Sequence, residues 1–132
     1  MDGRVKLRID KMSLDELLDY FKECREGMGQ ADDASDFKLA SKYDSKVAKI
    51  GDEITRRNAH ESIVPLLDPR NSAYVRQGAA TELAMRGPKA HRRKALLVLQ
   101  EFAKLNGARS LNALMAIDIL KTKCRDEGYP LD

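Results

Sequence analysis

IVPLLDPRNSAYVRQGAATELA, residues 63–84, is the stretch that decides the predicted fold. Its apolar positions form two groups, separated by a helix stop and restart at Asp68-Pro69-Arg70-Asn71-Ser72. The first group predicts a short apolar helix and the second predicts one face of a longer helix: Ile63, Val64, Leu66 and Leu67, then Val75, Ala79, Ala80 and Leu83. Two helices of this size cannot bury their apolar faces against each other alone. The pattern therefore indicates a unit that stacks on neighbouring helices.

The chain before this unit predicts two further helices. Ser13-Leu14-Asp15-Glu16 has the form of a capping box, so a helix is expected to start there. Its apolar stripe continues until Gly27 and Gly29, which are predicted to stop the helix before a polar connection at residues 30–35. The next helix, over residues 36–58, is predicted to be the longest. Gly51 inside it predicts a close helix contact or a slight bend.

Two more helices are expected after the central unit. Gly87-Pro88 marks a stop and a new start, and the helix over residues 88–105 should bury Ala95, Leu96, Leu99, Phe102 and Ala103. Asn106-Gly107 ends it. The last helix, over residues 108–124, is apolar around much of its circumference, so we expect it to be central or covered by another segment or a partner.

An offset of 36 residues relates the two halves of this region. It pairs four residues of the central unit with four of the last helix: Val75 with Leu111, Ala79 with Met115, Ala80 with Ala116, and Leu83 with Ile119. It also pairs Ile63 with Leu99 and Leu66 with Phe102. The sequence thus predicts an internal repeat of two helical pairs.

Composition limits the class of protein. The chain of 132 residues suits one domain, predicted at residues 13–124, with an arm at residues 1–12 and a polar tail at 125–132. No apolar run is long enough for a membrane span and no secretion signal is evident, so we expect a cytoplasmic address. The two cysteines, Cys24 and Cys124, lie far apart and are expected to be reduced thiols.

Several residues of the central unit resemble the HEAT-repeat pattern. They are Asp68-Pro69, Val75-Arg76, Ala79-Ala80 and Leu83, whereas the second unit has Asn112 in place of the arginine and lacks Asp-Pro. Residues 13–18, Tyr43-Asp44 with Ile50 and Ile54, and residues 66–83 resemble a small bacterial family of uncharacterised HEAT-like helical proteins. The resemblance covers roughly residues 12–124. It implies an all-α, HEAT-like stack of about six helices in antiparallel pairs, an α-α superhelix, and it implies no catalytic residues.

Most polar clusters have a structural explanation. The HEAT-like context makes Asp68 and Arg76 a structural pair or helix caps, and Asp32, Asp33 and Asp36 are interpreted as caps at a helix start. His60 and His91 are far apart and have no metal-ligand spacing around them. We therefore predict no metal, no cofactor and no enzymatic activity.

A basic run is the strongest local signal for binding. No acidic residue lies between Glu82 and Glu101, and the run contains Arg86, Lys89, His91, Arg92, Arg93 and Lys94. Cations at a helix N-terminus oppose the helix dipole, which suggests a use, such as binding phosphate or an acidic protein surface. The alternative is that these side chains simply solvate a helix. The run has no interleaved aromatics or glycine-rich phosphate loop.

The predicted function is protein binding through one exposed helical face, first at a concave surface near Arg76, Asn112 and Met115. An immunity or antitoxin-type inhibitor is one form of this hypothesis, by analogy alone. The alternative is duplex-DNA binding through residues 86–94, although the chain has no Trp to hold a displaced base. Exposed apolar residues on the last helix leave self-association open.

Overall fold

A computed structural model describes residues 9–105, 107–129 and 131, without the Ala108 side chain. These residues form helices and loops without a strand, which confirms the all-α class. The five α-helices are α1 (Leu14–Asp33), α2 (Phe37–Arg56), α3 (Ala73–Arg86), α4 (Arg92–Ala103) and α5 (Ala108–Asp126). Short 3-10 helices span Ile9–Lys11, His60–Leu67 and Lys89–His91.

The chain divides between Ser62 and Ile63 into two compact units. In the first, α1 and α2 pack on each other as a helical hairpin. In the second, α3, α4 and α5 each contact the other two. A single domain over residues 13–124 and HEAT-like stacking both stay predictions.

The start of α1 confirms the predicted capping box. Ser13 Oγ accepts a hydrogen bond from the Glu16 amide at 3.1 Å, and the Ser13 amide donates to Glu16 Oε1 at 2.8 Å. These bonds satisfy two donors that a helix start otherwise leaves without partners, so this sequence signal determines the local structure directly.

The predicted stop at Gly27 and Gly29 is wrong, because α1 continues through both glycines to Asp33. Beyond this end, Ser35 adopts a left-handed conformation with φ of 58°, and the Asp36 amide donates to the Ala31 carbonyl at 2.8 Å. Gly27 instead permits close packing. A Cβ at this position would clash with the ring of Tyr43 on α2.

Helix α2 begins and ends near its predicted limits. The Asp36 carboxylate caps it by accepting from the Leu39 amide at 3.1 Å, and Asn58 follows its end with φ of 57°. Asp32 and Asp33 lie in the last turn of α1, so the interpretation of these two as N-caps is wrong. The helix has 20 residues, as α1 does, and is therefore not the longest.

The core of the first unit includes buried residues from both helices: Leu17, Phe21, Cys24, Val47, Ile50 and Ile54. Phe37 lies in the first turn of α2 and is exposed. Residues 1–8 of the predicted arm lie outside the described residues. Its described part is attached to α2, because Arg57 Nη2 donates to the carbonyls of Ile9 and Asp10 at 3.2 and 3.4 Å.

The second unit begins as the sequence predicts. The short apolar helix is the end of the 3-10 helix His60–Leu67, where Pro65 has no amide hydrogen to continue an α-helical ladder. Helix α3 buries the four predicted positions, Val75, Ala79, Ala80 and Leu83. Helix α4 likewise buries Ala95, Leu96, Leu99 and Phe102, whereas Ala103 is only partly buried.

In α5 the predicted repeat alignment is wrong at three of its four positions. Leu111, Met115 and Ile119 are exposed although their counterparts in α3 are buried, whereas Ala116, paired with Ala80, is buried together with Ala113, Leu120 and Cys124. The reason is the contact with α3 and α4. Small alanines let these helices approach closely, so the larger apolar side chains of α5 lie on its opposite face.

Candidate docking surface

The predicted basic run does not form one cationic surface, because Arg92 is buried. Its Nη1 donates to Glu127 Oε1 at 2.9 Å and its Nη2 donates to Glu127 Oε2 at 3.4 Å. Nη1 also lies 3.7 Å from Cys124 Sγ. The hydrogen bonds from Arg92 lower the pKa of the Glu127 carboxyl and raise the pKa of Arg92 itself. Arg92 is thus a structural cation, and its prediction as a surface residue is wrong.

Two neighbouring cations of the run also face partners in their own chain. Arg86 Nη1 donates to the fully buried Glu82 at 2.8 Å. The ammonium of Lys89 lies 3.8 Å from the centroid of the Tyr129 ring and 3.8 Å from Glu127 Oε1. Arg86 and Lys89 therefore stabilise the second unit, and their charges are less available to bind a phosphate.

The remaining members of the run are a smaller set. Arg93 and Lys94 are exposed and His91 is partly exposed. Within the part of the chain that the structure describes, neither Arg93 nor Lys94 makes an ion pair. Two adjacent cations supply little of the charge that duplex DNA binding requires, so the DNA alternative has less support than the sequence suggested.

Arg76 also has a structural position. Its Nε donates to the Leu67 carbonyl at 3.0 Å, and its two terminal nitrogens donate to the Glu101 carboxylate at 2.8 and 3.2 Å. Asp68 forms its ion pair with Arg70, so Asp68 and Arg76 have the structural roles that the sequence predicted but are not hydrogen-bonded to each other. Arg76 is therefore unsuited to the predicted concave surface, whereas Asn112 and Met115 are exposed on α5.

The outer side of α5 exposes several large apolar side chains. Leu111, Leu114, Met115 and Ile119, here termed the α5 face, are 60%, 51%, 56% and 45% exposed. Their spacing of three to four residues places them along one side of the helix over about 12 Å. Single exposed leucines are ordinary on protein surfaces, but a helical stripe of four is typical of an interaction site.

A shallow groove of about 450 Å³ adjoins the α5 face at Ile119. Its other lining residues come from the C-terminal part of α5 and the turn that follows: Asp118, Thr122, Lys123, Asp126 and Glu127. Two of the charges are engaged within the chain, since Lys123 Nζ donates to the Met85 carbonyl at 2.9 Å and Glu127 binds Arg92. Asp118 and Asp126 are exposed, and neither pairs with any of the described residues.

The chain matches no protein-family model, no curated protein and no solved structure. The resemblance to HEAT-like proteins therefore stays a prediction.

No helix among the described residues is long and apolar enough to cross a membrane. The described His, Cys, Asp and Glu side chains form no group of three that could hold a metal ion.

The sequence pointed to the last helix but not to its exposed side. Its apolar residues occur around much of the circumference, so their spacing does not select the buried face. Residue size was the missing signal. Ala113 and Ala116 mark the side that approaches α3 and α4, which leaves the larger residues outside.

Proposed function

We propose that this protein is a helical binding module that docks a protein partner through the α5 face. The observation that carries the proposal is the exposure of four large apolar side chains on one helical stripe. An immunity or antitoxin-type inhibitor would be one form of such a module.

The free energy gained by burying the α5 face favours docking, but apolar contact alone does not outweigh the cost of association. Complete burial of a Leu, Ile or Met side chain contributes about 1.5–3 kcal/mol, so covering the half-exposed α5 face contributes on the order of 4 kcal/mol. Association costs at least about that much in translational and rotational freedom. A stable complex therefore needs polar contacts beside the stripe.

The proposal is tested by comparing two matched leucines. Leu111 on the α5 face and Leu97 on the outer side of α4 are both 60% exposed. Leu111→Glu should abolish capture of the partner from lysate of the cells that produce the protein, because a carboxylate would be buried against apolar atoms. Leu97→Glu should leave capture unchanged.

Circular dichroism should show that both variants keep the helical content of the wild type, since both side chains are exposed. Equal capture by wild type and Leu111→Glu would overturn the proposal. Equal loss in the two variants would also contradict it, because the effect would not be specific to the α5 face.

A further inference from the structure

Three cations act on one carboxylate beside the start of α4. Glu127 accepts hydrogen bonds from Arg92 at 2.9 and 3.4 Å, and the ammonium of Lys89 lies 3.8 Å from Glu127 Oε1. The hydrogen bonds from Arg92, followed by the charges of Arg92, Lys89 and Lys123, lower the pKa of the Glu127 carboxyl. One carboxylate neutralises only one of these cations. Arg92, Lys89 and Lys123, here termed the Arg92 cluster, therefore keep an excess of positive charge.

The surrounding charges do not remove this excess. Asp118 and Asp126 line the groove that Glu127 borders. Residues 118–126 of α5 nevertheless hold three cations against these two carboxylates. Lys123 keeps its charge while it donates to a backbone carbonyl at 2.9 Å. The region around Glu127 is therefore cationic and suits an anionic ligand.

Arg92 also has more hydrogen-bond donors than Glu127 accepts. Its side chain is only 7% exposed, and its Nε is buried without a hydrogen-bond partner among the described residues. Buried donors of this kind are normally paired. A phosphate group offers three acceptor oxygens and up to two negative charges, whereas a carboxylate offers two oxygens and one charge. A phosphate therefore suits both the spare donor and the spare charge better than Glu127 does.

Glu127 belongs to a short segment that is held by few contacts, residues 127–129, here termed the C-terminal clasp. The Glu127 side chain is 33% exposed, so an ion in solution can reach it. Gly128 turns the chain with φ of 81°, and the Tyr129 ring lies 3.8 Å from the Lys89 ammonium while 60% exposed. Release of the clasp therefore breaks little beyond its contacts with the Arg92 cluster.

We infer that the Arg92 cluster is a binding site for a phosphate group, which Glu127 fills in the free protein and which a phosphate occupies by displacing the clasp. The charge of Lys89 becomes available to the ligand when Glu127 leaves. The clasp is thus an internal competitor, and the need to release it weakens the apparent affinity for phosphate. This site is separate from the proposed docking surface, because no residue of the α5 face belongs to the cluster.

Inorganic phosphate is the probe, and Glu127→Ala in the full chain removes the competitor. Thermal denaturation is followed as phosphate replaces chloride at constant ionic strength. The variant should be less stable than the wild type in chloride, and phosphate should raise its midpoint until the site is saturated. Its apparent affinity for phosphate should be about tenfold to a hundredfold higher than that of the wild type. Glu127→Gln, which keeps an oxygen acceptor for Arg92, serves in the same titration if Glu127→Ala does not fold.

Nuclear magnetic resonance of the wild type tests displacement of the clasp. Phosphate should shift the Arg92 Nε–H resonance and the backbone amides of Gly128 and Tyr129 along one saturable curve. The concentration should reach about a hundred times the value that half-saturates Glu127→Ala, because the wild type binds more weakly. Unchanged resonances at that concentration would show that Glu127 is not displaced and would overturn the inference.

Two lysines provide a matched comparison in the Glu127→Ala background. Lys89→Gln should weaken phosphate binding about threefold or more, because this cation belongs to the cluster. Lys94→Gln removes an exposed cation outside the cluster and should change binding less than about twofold. Equal effects of the two, or equal phosphate effects on the wild type and Glu127→Ala, would show general ion binding and contradict the inference. Leu111→Glu should leave phosphate binding unchanged, so failure of the docking proposal and failure of this one are distinguishable.

Discussion

At the scale of single residues, Gly27 shows how a helix-breaking residue becomes a packing residue. It lies within α1, where glycine costs about 1 kcal/mol relative to alanine. Glycine is nevertheless favoured here because the Tyr43 ring occupies the space in which a Cβ would lie. Removing the tyrosine ring should therefore reverse the effect of an alanine at this position.

A double-mutant cycle measures this coupling. Gly27→Ala should destabilise the wild type by about 1–2 kcal/mol, because the ring must move despite the gain in helix propensity. In a Tyr43→Ala background the same change should stabilise by about 0.5–1 kcal/mol. Urea denaturation gives both values, and stabilisation of equal size in both backgrounds would show that the ring moves freely.

Glu53 makes the stability of the first unit dependent on pH. This buried carboxylate accepts from Arg56 Nε at 2.9 Å and from Arg57 Nε at 2.6 Å, and these hydrogen bonds, Arg56 first, lower its pKa to about 2. In the unfolded chain its pKa is about 4.3. The contribution of Glu53 is therefore complete above about pH 5 and is lost as the pH falls towards 2.

Glu53→Gln should be less stable than the wild type at pH 7, and the difference should narrow steadily between about pH 5 and pH 2. The free energy of unfolding in urea at each pH measures it. Asp19→Asn is the control, because its pair with Lys22 is long at 3.7 Å and highly exposed. If the difference in unfolding free energy between Glu53→Gln and the wild type did not change with pH, the lowered pKa of Glu53 would be contradicted.

At the scale of elements, Arg76 links three helices. Its guanidinium joins the end of the 3-10 helix His60–Leu67 to α4, from a position on α3, and lies 5.6 Å from the centroid of the Phe102 ring. The arginine singled out by the HEAT-like pattern therefore holds neighbouring helices together. Its replacement should affect stability rather than binding.

Arg76→Gln should lower the free energy of unfolding by about 1–3 kcal/mol, because three hydrogen bonds are lost in a partly buried position. Arg70→Gln is a matched control, since Arg70 pairs with Asp68 while 90% of its side chain is exposed, and it should cost less than about 1 kcal/mol. Urea denaturation compares the two. Equal losses would show that burial of Arg76 is not the cause.

The sequence predicted elements best where the signal is local. Ser13 and Glu16 specify a helix start through their own hydrogen bonds, and Asp36 caps α2 in the same way. The roles of Gly27 and Leu111 could not be predicted from the local sequence. The role of each depends on the helix that packs beside it, and a single sequence does not show which helix that is.

At the scale of the whole molecule, the two cysteines report on the two units separately. Cys24 lies in the first unit and Cys124 in the second, and both are buried. Burial also raises the pKa of Cys24 to about 11, so almost none of it is thiolate at neutral pH. We expect both thiols to be unreactive in the folded protein.

A chromogenic disulfide reagent at pH 8 should label neither thiol within minutes under native conditions and both in concentrated urea. Cys24→Ser and Cys124→Ser variants assign each reaction to its residue. Rapid labelling of Cys24 alone would show that the first unit opens readily, while rapid labelling of Cys124 would show the same for the second.

Globally, the all-α class followed from composition and helical periodicity, and the structure confirms it among the described residues. The candidate surface could be predicted from the sequence only in part. Asn112 and Met115 are exposed as predicted, but Arg92 and Arg76 are engaged internally because each finds an acidic side chain distant in sequence, Glu127 and Glu101. Long-range pairing of this kind leaves no mark in the local pattern of charges.

Because of the ion pair of Arg92 with Glu127, the segment after α5 contributes to the stability of the second unit. Glu127 follows the last turn of α5, in a segment whose composition suggests a dispensable polar tail. A truncation ahead of Glu127 would leave the buried guanidinium of Arg92, which cannot lose its charge, without its carboxylate partner. A shortened version of this protein should therefore keep Glu127. A version that ends before Glu127 is expected to be less stable.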